Sequence, residues 1–256
     1  MARSMWNGAI AFGSVTVPVK VYAATEPRSL SMRELHAADG APLSHRYFDP
    51  DGEREISSES VVRGAEVSSG RFVILSPEEL KAVERPKRRA VEIEAFVPEQ
   101  QIDPLYFDRA YNLAPQPAGE DAYAVLLAAL KRTRRSGIGR VVLRSRERLV
   151  TIAATDSSLR MQTMRFHDEM VKGSSVKLAA KARRTTKAEL EMARTLIEQL
   201  CGDYEPGKLK DTYRERVEKL ARSKAAGKPA KLSARAAPKE TDDLLEALKA
   251  SIGRSA

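Results

Sequence analysis

Residues Trp6 to Tyr22, WNGAIAFGSVTVPVKVY, decide the fold class. From Val15 onward the apolar Val15, Val17, Val19 and Val21 alternate with Thr16, Pro18, Lys20 and Tyr22, the two-residue period of a strand with one face in a core. Gly8 and Gly13 flank Ile10 and Phe12 where a bend, a bulge or a close backbone approach is wanted. Pro18 has no N–H to give to a ladder, so the pattern predicts a strand at a sheet edge or beside a bulge.

The same signals recur downstream. Between His45 and Ile56, Asp51-Gly52 separates two short apolar stretches and predicts a hairpin. Asp49 and Asp51 do not make a calcium loop, because the glycine offset is wrong and no glutamate closes it. Phe72 to Leu75 reads as a strand, and Ser76-Pro77-Glu78-Glu79 as a capping box opening a helix to about Glu84. Val91, Ile93, Ala95 and Val97 alternate with Glu92, Glu94 and Phe96 as a further strand, and Tyr106 to Leu113 is another, ended by Pro115 and Pro117. A helix is predicted over Glu120 to Arg135, with Ala122, Val125, Leu126, Ala129 and Leu130 as its apolar stripe. Strands Ile138 to Leu143, Leu149 to Ala154 and about Leu159 to Phe166 follow.

Beyond Lys172 the strand signals stop. Thr186-Lys187-Ala188-Glu189 is a capping box for a helix with Leu190, Ala193, Leu196, Ile197 and Leu200 on one face, stopped at Gly202, and a second helix runs from about Asp211 to Ser223. From Arg222 to Lys239 there are bases and no acid among Ala, Gly, Pro and Ser, which reads as a flexible basic tail. A short helix from Thr241 to about Ile252 presents Leu244, Leu245 and Leu248, the pattern of a docking peptide. The expected fold is α+β, mainly β, with a core over 5–185, a helical arm over 186–222 and a basic tail over 223–256.

Charge indicates the partner. Lys and Arg number 44 against 35 Asp and Glu, giving +9, and such a field attracts polyanions and releases their counterions. Between Arg132 and Arg148 lie Arg132, Arg134, Arg135, Arg140, Arg144, Arg146 and Arg148 against the single Glu147, with Lys131 just before. A solvated face mixes signs and favours lysine, so this run predicts phosphate contact. Lys20, the basic loop Lys87, Arg88 and Arg89, and Lys224, Lys228 and Lys231 of the tail complete the expected phosphate-contact set, though charge alone does not say which polyanion it meets.

Other chemistry is absent from the pattern. Gly202 to Lys208 spells G-x-x-x-x-G-K, but Leu209 stands where a phosphate loop needs Ser or Thr. His36, His45 and His167 lack metal or triad spacing, and His167-Asp168-Glu169, read as strand residues facing opposite ways, make no acid/base pair. The lone Cys201, expected to be buried near a helix end, can form neither an internal disulfide nor a cysteine-only zinc site. No apolar run suits a membrane span or a signal peptide, so a cytoplasmic, nucleoid-associated binding protein is expected rather than an enzyme, with no cofactor and no metal.

The wording of the opening stretch goes further than its period. Its Trp-x-Gly-x-Ile-x-Phe-Gly run leading into Pro-Val-Lys-Val-Tyr resembles the start of the Ku family in its bacterial form. Leu35-His36, Ile102-Asp103-Pro104, Tyr106-Phe107, Tyr111-Asn112-Leu113-Ala114-Pro115, the run from Gly137 to Glu147, and Asp211-Thr212-Tyr213-Arg214 match the family in order. The resemblance implies a Ku-type β-barrel whose long loops close a ring as a homodimer. Such a ring threads double-stranded DNA ends without reading sequence, and recruits an ATP-dependent DNA ligase in non-homologous end joining. It also implies that the helices of 186–222 reach over the partner subunit. Many bacterial relatives carry cysteine pairs resembling a zinc site between His36 and Ile56; this sequence has none. The alternative is a non-specific RNA or single-strand binder, which needs exposed aromatic stacking platforms that a chain with 5% aromatics has few of.

Overall fold

The computed structural model describes residues 3–28, 30–49, 51–52, 54–83, 89–144, 146–175 and 186–227. The chain divides into two compact units, one of 1–28 and 32–175 and the other of 29–31 and 176–256.

The first unit is built on a closed barrel. Strands β1 (Trp6–Phe12) and β2 (Val15–Ala23) form its opening hairpin. After an excursion the chain returns as β7 (Ala90–Pro98), β8 (Phe107–Pro115), β9 (Arg135–Leu143), β10 (Arg146–Ala154) and β11 (Leu159–Met164). The order around the barrel is β1-β2-β8-β11-β10-β9-β7, and a parallel pairing of Ala9–Ala11 with Ala90–Glu92 closes it. Closure removes the edges that an open sheet would leave unpaired.

Alternation fills the interior as expected. Ile10, Val17, Val19, Val21, Val91, Val150, Ile152, Leu159 and Met161 are essentially inaccessible to solvent. At roughly 1.5–3 kcal/mol for each such side chain, this shared core dominates the stability of the unit. Gly13 sits at φ 55° in the hairpin turn, a region that favours glycine. At Gly8 a Cβ would stand 2.3 Å from the Arg89 carbonyl and 2.1 Å from the Trp6 ring, so the glycine permits a close backbone approach.

Four details differ from the sequence reading. β2 is not an edge strand, because β1 and β8 flank it on both sides. Pro18 is tolerated because pairing with β8 starts only at Val19 opposite Pro115, and the Pro18 carbonyl instead accepts from the Gln116 N–H at 3.0 Å. β7 carries a bulge between Ile93 and Ala95, which breaks its regular alternation. Helix α2 (Glu120–Thr133) stops two residues early, since Arg134 adopts the left-handed conformation at φ 51° and Arg135 already belongs to β9. Its buried stripe is also rotated: Tyr123, Leu126 and Leu130 face the core, while Val125 is 70% exposed.

That rotation lets α2 stopper one end of the barrel. The Tyr123 hydroxyl donates to the Leu113 carbonyl and accepts from the Leu159 N–H, both at 2.7 Å, which ties the helix to β8 and β11. Burial raises the Tyr123 pKa above the usual phenol value, so the neutral donor persists across ordinary pH. Further along, the Lys131 ammonium donates to the Asp156 carbonyl beyond the end of β10.

Between β2 and β7 lies an excursion of a different character. It holds β3 (Tyr47–Asp49) with β4 (Arg54–Ile56), then β5 (Arg63–Ser68) with β6 (Arg71–Leu75), and α1 (Pro77–Val83). The Asp51-Gly52 hairpin and the Ser76–Glu79 capping box form as expected, the latter with reciprocal contacts of 2.8 and 3.1 Å. β5, rich in glycine, alanine and charge, was not legible. None of the described residues between Ala24 and Arg89 is buried, and Phe48, Val62, Phe72 and Ile74 are all at least 60% exposed.

In the second unit, α3 (Lys187–Gln199) follows the expected cap at Thr186, and α4 (Thr212–Ala225) is capped by Asp211, whose side chain accepts from the Arg214 N–H. Leu190, Ile197, Leu200 and Tyr213 are exposed on them, as is Cys201, which the sequence reading had placed in a buried position. A single residue type carries no burial signal of its own beyond the end of an amphipathic face.

Candidate nucleic-acid interface

The arginine-rich stretch from 132 to 148 is continuous in sequence but not in space. Strand β9 runs through it for nine residues, so Arg135 and Arg144, nine steps apart, sit on the order of 30 Å from each other along the strand, at opposite ends of the barrel. Lys131, Arg132, Arg134 and Arg135 gather where α2 stoppers the barrel. Arg144, Arg146 and Arg148 gather at the other end.

Between the two poles Arg140 is committed elsewhere. Its guanidinium meets the Glu94 carboxylate at 2.9 Å and that of Glu147 at 3.3 Å, across three adjacent strands. The Glu94 hydrogen bond and charge, with Glu147 behind them, raise its pKa further above the ordinary guanidinium value. Arg135 is partly engaged as well, donating to the Phe96 carbonyl at 3.1 Å. Lys20 points from the outer face of β2, whose inward positions are the valines. Arg89 is exposed beside Asn7, at the same pole as Arg144. Lys224 lies in the last turn of α4. Lys87, Arg88, Lys228, Lys231, Leu244, Leu245 and Leu248 lie outside the described residues.

The open pole is a cleft of about 420 Å³ in the barrel mouth. Register explains its lining. Arg146 pairs with Leu143 and Arg148 with the buried Val141, so both arginines occupy inward-facing positions that the core residues Val150 and Ile152 continue deeper in. Arg109 holds the same inward register on β8 two residues before Tyr111 and four before the buried Leu113. The sequence reading missed Arg109; its alternation with Tyr111 and Leu113 was the available signal. Arg144 adopts a left-handed φ of 49° in the β9–β10 turn, where a side chain costs about 1–2 kcal/mol that glycine would not.

Among the described residues no group of three or more His, Cys, Asp or Glu could hold a metal ion. His36 bonds locally to Asp39 at 2.9 Å. His167 to Glu169 form a 3-10 turn rather than a strand, with the His167 ring 2.8 Å from the Tyr106 hydroxyl and the Glu169 carboxylate accepting from the Phe166 N–H. Among the described residues no helix is long and apolar enough to cross a membrane.

Comparison with known proteins places this architecture. Residues 11–192 match the family model of the Ku70/Ku80 beta-barrel domain. The chain is 40% identical over 253 residues to a non-homologous end joining protein Ku of Symbiobacterium thermophilum, covering 98% of this chain and 62% of that relative's length. It is 35% identical to the Bacillus subtilis protein of the same name, covering 99% of this chain and 82% of the relative. A third, from an Anaeromyxobacter strain, is 38% identical, with 98% and 86% covered. With a closed barrel inside the stretch that the family model matches and relatives aligned along nearly the whole of this chain, the chain belongs to the Ku family.

Proposed function

We propose that this protein binds double-stranded DNA ends without regard to sequence, as a ring-shaped homodimer, and delivers them to an ATP-dependent ligase for end joining. The observation that carries the reading is the excursion of 24–89, which leaves the barrel and buries none of its described residues. A segment of that length with Phe48, Val62, Phe72 and Ile74 exposed needs a covering surface, and in a two-fold dimer the same segment of the partner supplies it. The names of the three relatives supply the role in end joining. Exposed apolar residues on α3 and α4 fit the same scheme, with the helical arm of one subunit lying on its partner.

Phosphate contact falls to arginines without an acidic neighbour. Arg132, Arg134, Arg144, Arg146 and Arg148 form no ion pair among the described residues, whereas Arg140 has two carboxylates. Contacts to phosphate position a duplex and carry no sequence information, which suits a protein that must accept any break. Arg134→Glu and Arg144→Glu are each expected to weaken duplex binding at least about tenfold on all sequences, while Arg140→Gln changes it by no more than about twofold. The logarithm of the binding constant should fall with that of salt by about 0.9 per phosphate contact, and each arginine reversal should flatten the slope. Fluorescence anisotropy with two unrelated sequences measures both. Sequence-dependent losses, or an Arg140 effect equal to that of Arg144, would contradict this assignment.

The segment after Lys239, with Leu244, Leu245 and Leu248, is proposed as the ligase contact. Truncation after Lys239 is expected to keep end binding and abolish stimulation of ligation, whereas truncation after Ser223 also lowers DNA affinity by removing Lys224, Lys228 and Lys231. Unchanged stimulation by the shorter deletion would move ligase docking to another surface.

A further inference from the structure

The barrel mouth gathers four arginines around one cleft. A duplex backbone is convex and touches only a rim, yet Arg109 and Arg148 sit at inward-facing positions of the barrel wall, on the same faces as Leu113 and Val150. Four guanidiniums, those of Arg109, Arg144, Arg146 and Arg148, line one cleft, and none has a side-chain partner among the described residues. The one acid beside them, Asp108, already faces the Arg165 guanidinium at 3.9 Å and the Thr163 hydroxyl at 3.5 Å. All four are exposed to solvent, and like charges so placed repel unless an anion joins them.

The rest of the wall says which anion. Trp6 and Tyr111 contribute aromatic surface, and Val21 and Leu143 an apolar floor. A cleft of about 420 Å³ holds a molecule the size of one nucleotide and no duplex. Arginine suits phosphate through its planar fork, while aromatic and apolar groups suit a base of any identity.

We propose that the arginine-lined barrel mouth is a binding site for one nucleoside 5′-phosphate, which shares Arg144, Arg146 and Arg148 with the duplex contacts and adds Arg109. The arginines hold the phosphate, and Trp6 with Tyr111 receives the base. The ligand comes either as a free nucleotide or as the 5′-terminal nucleotide of a strand.

Trp6 is the chain's single tryptophan and lines the cleft, so its fluorescence reports occupancy at this site. Titration of the full-length protein with ADP and with dAMP at low salt is expected to change that emission saturably, with half-effect near about 0.1 mM. Adenosine and inorganic phosphate, tested singly, should each act at least tenfold more weakly, since each fills half the site. Arg109→Gln and Arg148→Gln should each weaken the ADP response at least tenfold, and Arg109→Lys should restore most of it. Thermal melting of each variant checks that the fold persists, and the lysine variant separates lost charge from lost packing. Competition by a 5′-phosphorylated trinucleotide, with none by its unphosphorylated form, identifies a strand terminus as the source; no competition identifies the free nucleotide. An absent response, a response to phosphate equal to that to ADP, or a response indifferent to both glutamine substitutions overturns the site. None of these results depends on whether duplex ends are bound, so a failure here and a failure of end binding are told apart.

Discussion

A linear duplex is expected to bind, and a covalently closed circle of the same sequence is expected to show no binding above background. The reason is topological. A ring closed by the excursions of two subunits has no opening through which a continuous duplex can enter, so it loads only where the duplex ends. One cut in the circle should restore binding in full. Recircularising the DNA after loading should trap the protein, so that the complex survives about 1 M salt, at which phosphate contacts alone are screened within about 3 Å. Gel shifts of matched linear, circular and religated DNA measure all three states. Equal affinity for circle and linear duplex would leave the arginine contacts in place but remove the ring.

The second large effect concerns the barrel itself. Tyr123→Phe deletes one oxygen that serves two buried groups, the Leu113 carbonyl and the Leu159 N–H, each at 2.7 Å. Neither can turn to water, because Leu113 and Leu159 are 2% and 0% exposed. A cost of about 2–4 kcal/mol is expected from two unsatisfied groups, since the ring still fills its place and no cavity adds to it. For a unit of this size that lowers the melting midpoint by about 5–15 °C, read by calorimetry. Tyr123→Leu should cost more, because it adds lost packing to the lost hydrogen bonds. A shift below about 2 °C for the phenylalanine variant would mean that α2 is held by Leu126 and Leu130 alone.

Arg144 and Arg140 share a residue type and a run but not an environment. Both are arginines in the same short run and both read as phosphate contacts. Arg144 occupies a left-handed turn with no side-chain partner among the described residues, whereas the β7–β9 register sets Arg140 opposite Glu92 and within reach of Glu94, 46 residues away in the chain. A pairing over that distance leaves no mark in a local pattern.

The sequence by itself determined which residues alternate into a core, where the Asp51-Gly52 hairpin turns, where Ser76 and Thr186 cap helices, and, through the ordered wording from Trp6 to Arg214, the family. These are local properties: a turn conformation, a cap or a two-residue period is set by neighbours within a few positions. Only the tertiary structure decided that β2 lies between two strands, that α2 turns Tyr123 rather than Val125 inward to stopper the barrel, and that one arginine run splits into two poles. Only it brought Arg109 to the mouth. Alternation says which residues share a face of one strand, but which strand lies beside it, and in what register, depends on closing the barrel between Ala9 and Ala90 across some 80 residues of chain.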